Sequence, residues 1–190
     1  MGCKYGNFVG RRHVDFETRD DVTIAEYLKM IEYKTAVLVG AAMKMGALVA
    51  KASDENANLI YDFGLNLGIA FQLQDDYLDC YGDPLTFGKQ VGGDIIENKK
   101  TYLYLKAMAF SSEENKQQLL HLFSIQPNDN SDKIDSVKTI FNTSGASKAT
   151  QEAIANYTEI AFETLGKMKI SEDKKMVLRL FGEKLMNRKV

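Results

Sequence analysis

Residues 71–84 read FQLQDDYLDCYGDP. Phe71, Leu73, Leu78 and Cys80 recur like the apolar positions of a buried helix, yet Asp75, Asp76 and Asp79 fall between them. On a helix Asp75 and Asp79 are i and i+4 neighbours, and Asp76 and Asp79 are i and i+3, so the three carboxylates share one face. Like charges at these spacings cost about 0.2–0.5 kcal/mol each even in water. Beside a core the cost rises steeply unless a cation compensates. Aspartate is also a poor helix former, and no lysine stands at i+4 within the cluster. The stretch therefore predicts a hard-cation site built on a helix. All-oxygen ligands suit Mg²⁺, Mn²⁺ or Ca²⁺ rather than zinc. Mg²⁺ in particular keeps waters and takes one or two carboxylates together with substrate phosphates.

Working outward, the helix should start near Ser53 or Asp54 and run to about Tyr81, with Leu59, Ile60, Phe63 and Leu67 on its apolar side. Gly82-Asp83-Pro84 ends it, because proline biases the preceding residue away from helix. The following LTFGKQVGGDIIENKKT, residues 85–101, reads as a loop with one short helical turn. Lys89, Lys99 and Lys100, with Gly88, Gly92 and Gly93, supply the cations and open backbone that a phosphate needs. The competing reading is a solvated acidic face followed by a basic surface loop.

On the N-terminal side, Thr23 with Glu26 three residues later forms a capping box. Ile24, Tyr27, Leu28, Ile31, Ala36 and Leu38 recur at helical spacing, so one helix is expected from there to about Val49. Gly40 and Gly46 mark a break or a close helix contact. Lys34-Thr35 sits inside this apolar helix; on spacing alone it reads as a snorkelling lysine with no function. Arg19-Asp20-Asp21 reads as a turn ahead of a helix N-terminus. Thr101 caps a helix over 102–110, and further helices fit 113–124, 131–143, 146–168 and 171–187. Two prolines and no strand alternation make the chain all-α, without internal repeat or clear domain boundary.

The composition excludes several classes. At 190 residues, 45% hydrophobic and 26% charged, the chain is long enough for one medium domain with a core. A net charge of −2 gives no broad case for nucleic acid or an acidic membrane. No apolar run approaches the roughly 20 residues that span a bilayer. Residues 1–17 contain no apolar secretory core, and Gly6 stands where myristoylation of Gly2 would want Ser or Thr. Cys3 and Cys80 match no metal or disulfide spacing and read as reduced thiols of a cytoplasmic protein. His13 and His121 read as structural or exposed, and Met30, Met43 and Met45 as core filler.

Taken together, AFQLQDDYLDCYGDP (70–84) and FGKQVGGDIIENKKTYL (87–103) resemble the second aspartate-rich region of the trans-isoprenyl (polyprenyl) diphosphate synthases, the group that includes farnesyl and geranylgeranyl diphosphate synthases. The likeness rests on FQ-x-Q-DD-x-x-D, the GDP stop, a GK pair, a G-x-D triplet and NK-x-T. FETRDDVTIAEYLKMIEYKTAVLVGAA (16–42) looks like the family helix with its Lys-Thr pair, and LRLFGEKLMNRK (178–189) is similar to the family's last helix. The resemblance covers nearly the whole chain and is weakest over residues 1–9.

It implies an all-α bundle of mostly antiparallel helices around a central cavity, here lacking the N-terminal helices. It implies Mg²⁺-dependent joining of an allylic prenyl diphosphate to isopentenyl diphosphate, with Mn²⁺ as an alternative cation. By match, Asp75 and Asp79 would face metal, and Asp76 would bond metal-bound water or a lysine. Lys34 and Lys89 would contact the allylic diphosphate, and Lys99 would close the lysine loop. Thr35 and Gln72 would lie near the developing carbocation, and Phe71 near the homoallylic substrate. Two departures stand out. The first aspartate-rich motif and the early G-K-R-x-R-P segment do not occur, and Gly10-Arg11-Arg12 replaces the family's Gly-Gln-Gln. The expectation is thus the C-terminal half of a synthase, inactive alone, forming a homodimer through residues 54–81 or pairing with the missing half. The alternatives are a non-catalytic Mg²⁺- and diphosphate-binding subunit, or a helical interaction module.

Overall fold

The computed structural model describes Arg19, residues 21–83 and residues 91–187. Expectations that rest on Cys3, Gly10-Arg11-Arg12, His13, Pro84 and Lys89 lie outside the described residues. Among those described, all regular structure is helical: α1 (Ile24–Ile31), a π-turn (Glu32–Ala36), α2 (Val37–Val49), α3 (Asp54–Tyr81), α4 (Gly93–Ile96), α5 (Tyr102–Phe110), α6 (Glu113–Leu122), α7 (Ser131–Thr143), α8 (Ala146–Lys167) and α9 (Glu172–Met186). None of these helices is long and apolar enough to cross a membrane.

Local signals explain most of the ends. At the head of α1, the Glu26 N–H donates to Thr23 Oγ1 (3.2 Å) and the Thr23 N–H donates to Glu26 Oε2 (3.0 Å), the reciprocal capping box. Ser53 Oγ accepts from the Asn56 N–H (3.3 Å), and Ser112 caps α6 in the same way. Thr101 sits extended at the head of α5, though its side chain caps nothing. Between α7 and α8, Gly145 supplies a left-handed residue, φ 83°.

The expected single helix from Thr23 to Val49 is corrected: the π-turn interrupts it at Lys34-Thr35. One extra residue in the turn rotates everything after it by about 100°. That rotation suits the packing. Ala36 is fully buried, and a Cβ built on Gly68 would lie 2.7 Å from its Cα. A Cβ on Gly40 would lie 2.8 Å from the Tyr61 carbonyl. Gly40 is therefore a close helix contact, whereas Gly46 has nothing within 4 Å and is neither break nor contact. Met30 is buried as expected, but Met45 is exposed.

The contacts divide the chain into two compact units. In the unit made of residues up to Tyr27 and Asp75–Glu152, α7 packs on α4, α5 and α6. Its core holds Leu103, Leu119, Val137 and Phe141, all fully buried. The unit made of Leu28–Gln74 and Ala153–Arg188 is centred on Phe63, Leu67, Ala161 and Leu165, with Phe162, Leu178 and Leu185 packed around them. Each such buried leucine or phenylalanine contributes on the order of 1.5–3 kcal/mol.

Candidate functional site

In the first unit the site is organised around Asp79, near the end of α3. Its backbone carbonyl accepts the Gly92 N–H (2.6 Å), and its Oδ2 accepts the Asp94 N–H (2.8 Å). The two glycines of the G-x-D triplet thereby gain separate reasons. Gly92 has φ 83°, a conformation other residues resist. A Cβ on Gly93 would come within 3.0 Å of Asp79 Oδ1 and push the carboxylate away. The loop after α3 is thus pinned to the aspartate helix by main-chain donors.

The electrostatics follow from this crowding. Burial pushes the Asp79 carboxyl up to about 6, and the charges of Asp94 and Asp75 act in the same direction. The Asp94 N–H and Lys99 oppose the rise. Tyr27, buried on α1, donates its hydroxyl to Asp76 Oδ2. Burial first, and then Asp76, Asp94 and Asp75, hold that phenol well above its usual value, so it stays a donor. Lys99 Nζ contacts Asp94 Oδ1 at 3.0 Å and Glu97 Oε2 at 2.5 Å. Burial works against its charge, but these two contacts outweigh it and raise its pKa. Lys100 Nζ donates to the Arg19 carbonyl. Asp76, Asp79, Asp94, Lys99 and Thr101 line a crevice of about 10 Å³, room for the centre of one water, closed on one side by Phe123. Burial pushes the neighbouring Cys80 thiol up to about 12, so it is not a nucleophile.

In the second unit, Thr35 Oγ1 donates to Gln72 Oε1 at 3.1 Å, joining the π-turn to α3. Lys34 is exposed on the same π-turn, and Phe71 is half-buried. π-turns inside helices are frequent at functional positions. The structure thus brings Thr35 to Gln72, and Asp79 to Lys99 by way of Asp94.

Among the described residues, no three His, Cys, Asp or Glu side chains converge as a ready-made metal cage. Protein donors already engage Asp76 Oδ2 and Asp79 Oδ2. The donor set still fits a hard cation in kind. It is all oxygen, and Asp94 and Asp75 raise the proton affinity of Asp79, an effect that a divalent cation would reverse. Mg²⁺ that takes one or two carboxylates and leaves the rest to phosphate and water fits this better than Ca²⁺, which wants six to eight oxygens. Sequence reasoning gave no role to Tyr27 or to Asp94. Their signals were a tyrosine on an apolar helix face and the acid of the G-x-D triplet.

Comparison with known proteins adds four findings. A family model described as Polyprenyl synthetase matches residues 9–142. A short chain isoprenyl diphosphate synthase of Methanothermobacter thermautotrophicus is 37% identical over 150 residues, covering 79% of this chain and 45% of that protein. Among solved structures, a geranylgeranyl pyrophosphate synthase superposes with a TM-score of 0.90 at 46% identity, over 98% of this chain and 58% of that one. A Caulobacter crescentus polyprenyl synthase, solved with calcium and isoprenyl diphosphate, gives 0.87 at 28% identity, over 98% of this chain and 56% of that one. The expected all-helical isoprenoid-synthase fold is the fold found. The chain spans about half the length of these relatives.

Proposed function

The chain belongs to the polyprenyl synthetase family, and from that premise we propose that it is one wall of a Mg²⁺-dependent prenyltransferase joining an allylic prenyl diphosphate to isopentenyl diphosphate. The observation that carries this reading is the crowding at Asp79. A half-buried carboxyl raised to about 6 beside two further acids, with a lysine in the same crevice, is an arrangement that a cation and a polyanion would together satisfy.

In this reading Asp75 and Asp79 hold Mg²⁺, which when bound supplies positive charge to the departing diphosphate. Tyr27 fixes Asp76 through its hydroxyl. Lys34, Lys89 and Lys99 bind diphosphate oxygens, and their charge counts most where negative charge develops in the transition state. Thr35 and Gln72, held to each other, offer oriented oxygen dipoles to the allylic cation, and Phe71 gives the homoallylic substrate an apolar wall. The released diphosphate accepts the final proton, so no histidine or cysteine is needed. Pairing with a chain that supplies the first aspartate-rich motif would complete the site, whereas a homodimer would bring together two copies of the same wall.

Titration of the chain with Mg²⁺ and inorganic diphosphate tests the reading. Binding that Asp75→Ala weakens about tenfold or more is expected, because a single metal-bound carboxylate is lost. Absence of binding, or binding indifferent to Asp75→Ala, leaves a helical interaction module instead. With both prenyl substrates, the chain alone should form little product, and mixing with a partner that carries the first motif should raise it. Robust turnover by the chain alone would defeat the one-wall assignment.

A further inference from the structure

Helix α4 ends in a left-handed residue that is not glycine: Asn98, φ 56°. The Asn98 N–H donates to the Ile95 carbonyl (3.2 Å), and the Lys99 N–H reaches back to the Asp94 carbonyl (2.9 Å). This double closure is a Schellman motif, with Asn98 at the left-handed position and Lys99 directly after it. The reversal returns Lys99 over its own helix, where Nζ lies 3.0 Å from Asp94 Oδ1. Where Lys99 points is therefore decided by whether Asn98 keeps this conformation, which costs any residue but glycine something.

The turn is closed from behind by a buried cation. Lys133, in the first turn of α7, is 2% exposed. Its Nζ donates to Asn98 Oδ1 (2.6 Å) and to the Ile125 carbonyl (2.9 Å). Asn98 Nδ2 donates to the same Ile125 carbonyl (3.5 Å), so the three groups form a closed triangle. The Phe123 ring lies 6.0 Å from the ammonium, and Phe123 also lines the crevice that contains Asp79, Asp94 and Lys99. Among the described residues no carboxylate pairs with Lys133, and a buried ammonium among neutral acceptors is unfavourable. A leucine or methionine would fill the same space without that penalty. The geometry accounts for the charge only through what it holds.

We propose that Lys133 is a positioning residue: through Asn98 it fixes the left-handed turn that aims Lys99 into the Asp79–Asp94 crevice. The expected ligand, diphosphate with Mg²⁺, rests on the functional reading above; the brace itself does not.

Hydrogen exchange on the metal-free chain tests the brace. Lys133→Met should speed exchange of the Asn98 and Lys99 amides about tenfold, a coupling typical of groups in one network, and leave amides inside α5 unchanged. Asn98→Gly keeps the backbone conformation but removes the acceptor; adding Lys133→Met to it should give no further acceleration. Unchanged exchange at Asn98 and Lys99, or equal acceleration throughout α5 and α7, overturns the proposal. A second arm titrates Mg²⁺ with inorganic diphosphate. Lys133→Met should weaken binding about tenfold with Lys99 present and not at all in a Lys99→Ala background. Equal weakening in both backgrounds makes Lys133 merely structural and also overturns it. Wild-type protein that binds no diphosphate, yet shows the local exchange effect, would remove the diphosphate reading while supporting the brace.

Discussion

Asp79 holds the loop after α3 through its carbonyl and one carboxylate oxygen, and it keeps a charge that its surroundings disfavour. Its folded pKa of about 6 lies above the ordinary value of 3.8, first because it is buried. Between those values the folded state binds the extra proton, so stability falls as pH rises through the window, and the penalty is complete above about 6. Discounted for a half-exposed group, this amounts to on the order of 1 kcal/mol. Asp79→Asn keeps an oxygen for the Asp94 N–H and removes the charge. In thermal melts of the metal-free protein, the Asp79→Asn variant should be more stable than wild type at about pH 8 and equal to it below about pH 4. Mg²⁺ should raise the wild-type melting temperature in the alkaline buffer and leave that of Asp79→Asn nearly unmoved. Gly93→Ala tests the same contact from the other side. Its Cβ would meet Asp79 Oδ1 at 3.0 Å, so it should weaken binding of Mg²⁺ with diphosphate more than it lowers the melting temperature.

At the scale of elements, α2 and α3 approach closely because Ala36 and Gly40 face Gly64 and Gly68. A Cβ on Gly68 would lie 2.7 Å from backbone rather than from a flexible side-chain end. Gly68→Ala should therefore cost about 1–3 kcal/mol in chemical denaturation. Gly46→Ala, on α2 with open space around it, should instead stabilise by roughly 0.5–1 kcal/mol. Equal effects at the two positions would mean that helix propensity, not close approach, governs both. The π-turn belongs to this scale as well. A 3.6-residue pattern continues on paper from Ile24 to Val49, and nothing in it marks the inserted residue. The turn becomes necessary only when Ala36 and Thr35 must meet Gly68 and Gln72 on another helix.

At the scale of the molecule, α9 displays Met176, Val177, Leu180 and Phe181, each at least 48% exposed. These residues stand at i, i+1, i+4 and i+5, one continuous apolar stripe. Such a patch usually marks a contact surface. The chain should therefore self-associate in a concentration-dependent way in sedimentation velocity, and Leu180→Lys should shift it towards monomer. A wild-type chain that stays monomeric at high concentration would count against an interface on α9.

The sequence by itself determined where helices start and stop and which chemistry to expect. Caps, turn glycines and apolar periods act over three or four residues, so Thr23 with Glu26, or Ser53 with Asn56, is visible in the string. The observed ends of α3 and of α5 to α9 fall within two residues of those read from it. The aspartate spacing and the lysine loop likewise pointed to the family through residues adjacent in the chain. Only the tertiary structure decided which partner each of those side chains takes. Tyr27 reaches Asp76 across 49 residues, and Lys133 reaches Asn98 across 35. No local pattern encodes such pairs, because burial and shared hydrogen bonds arise only once distant helices pack. A lysine in the first turn of a polar helix looks like surface until the fold places it behind Asn98.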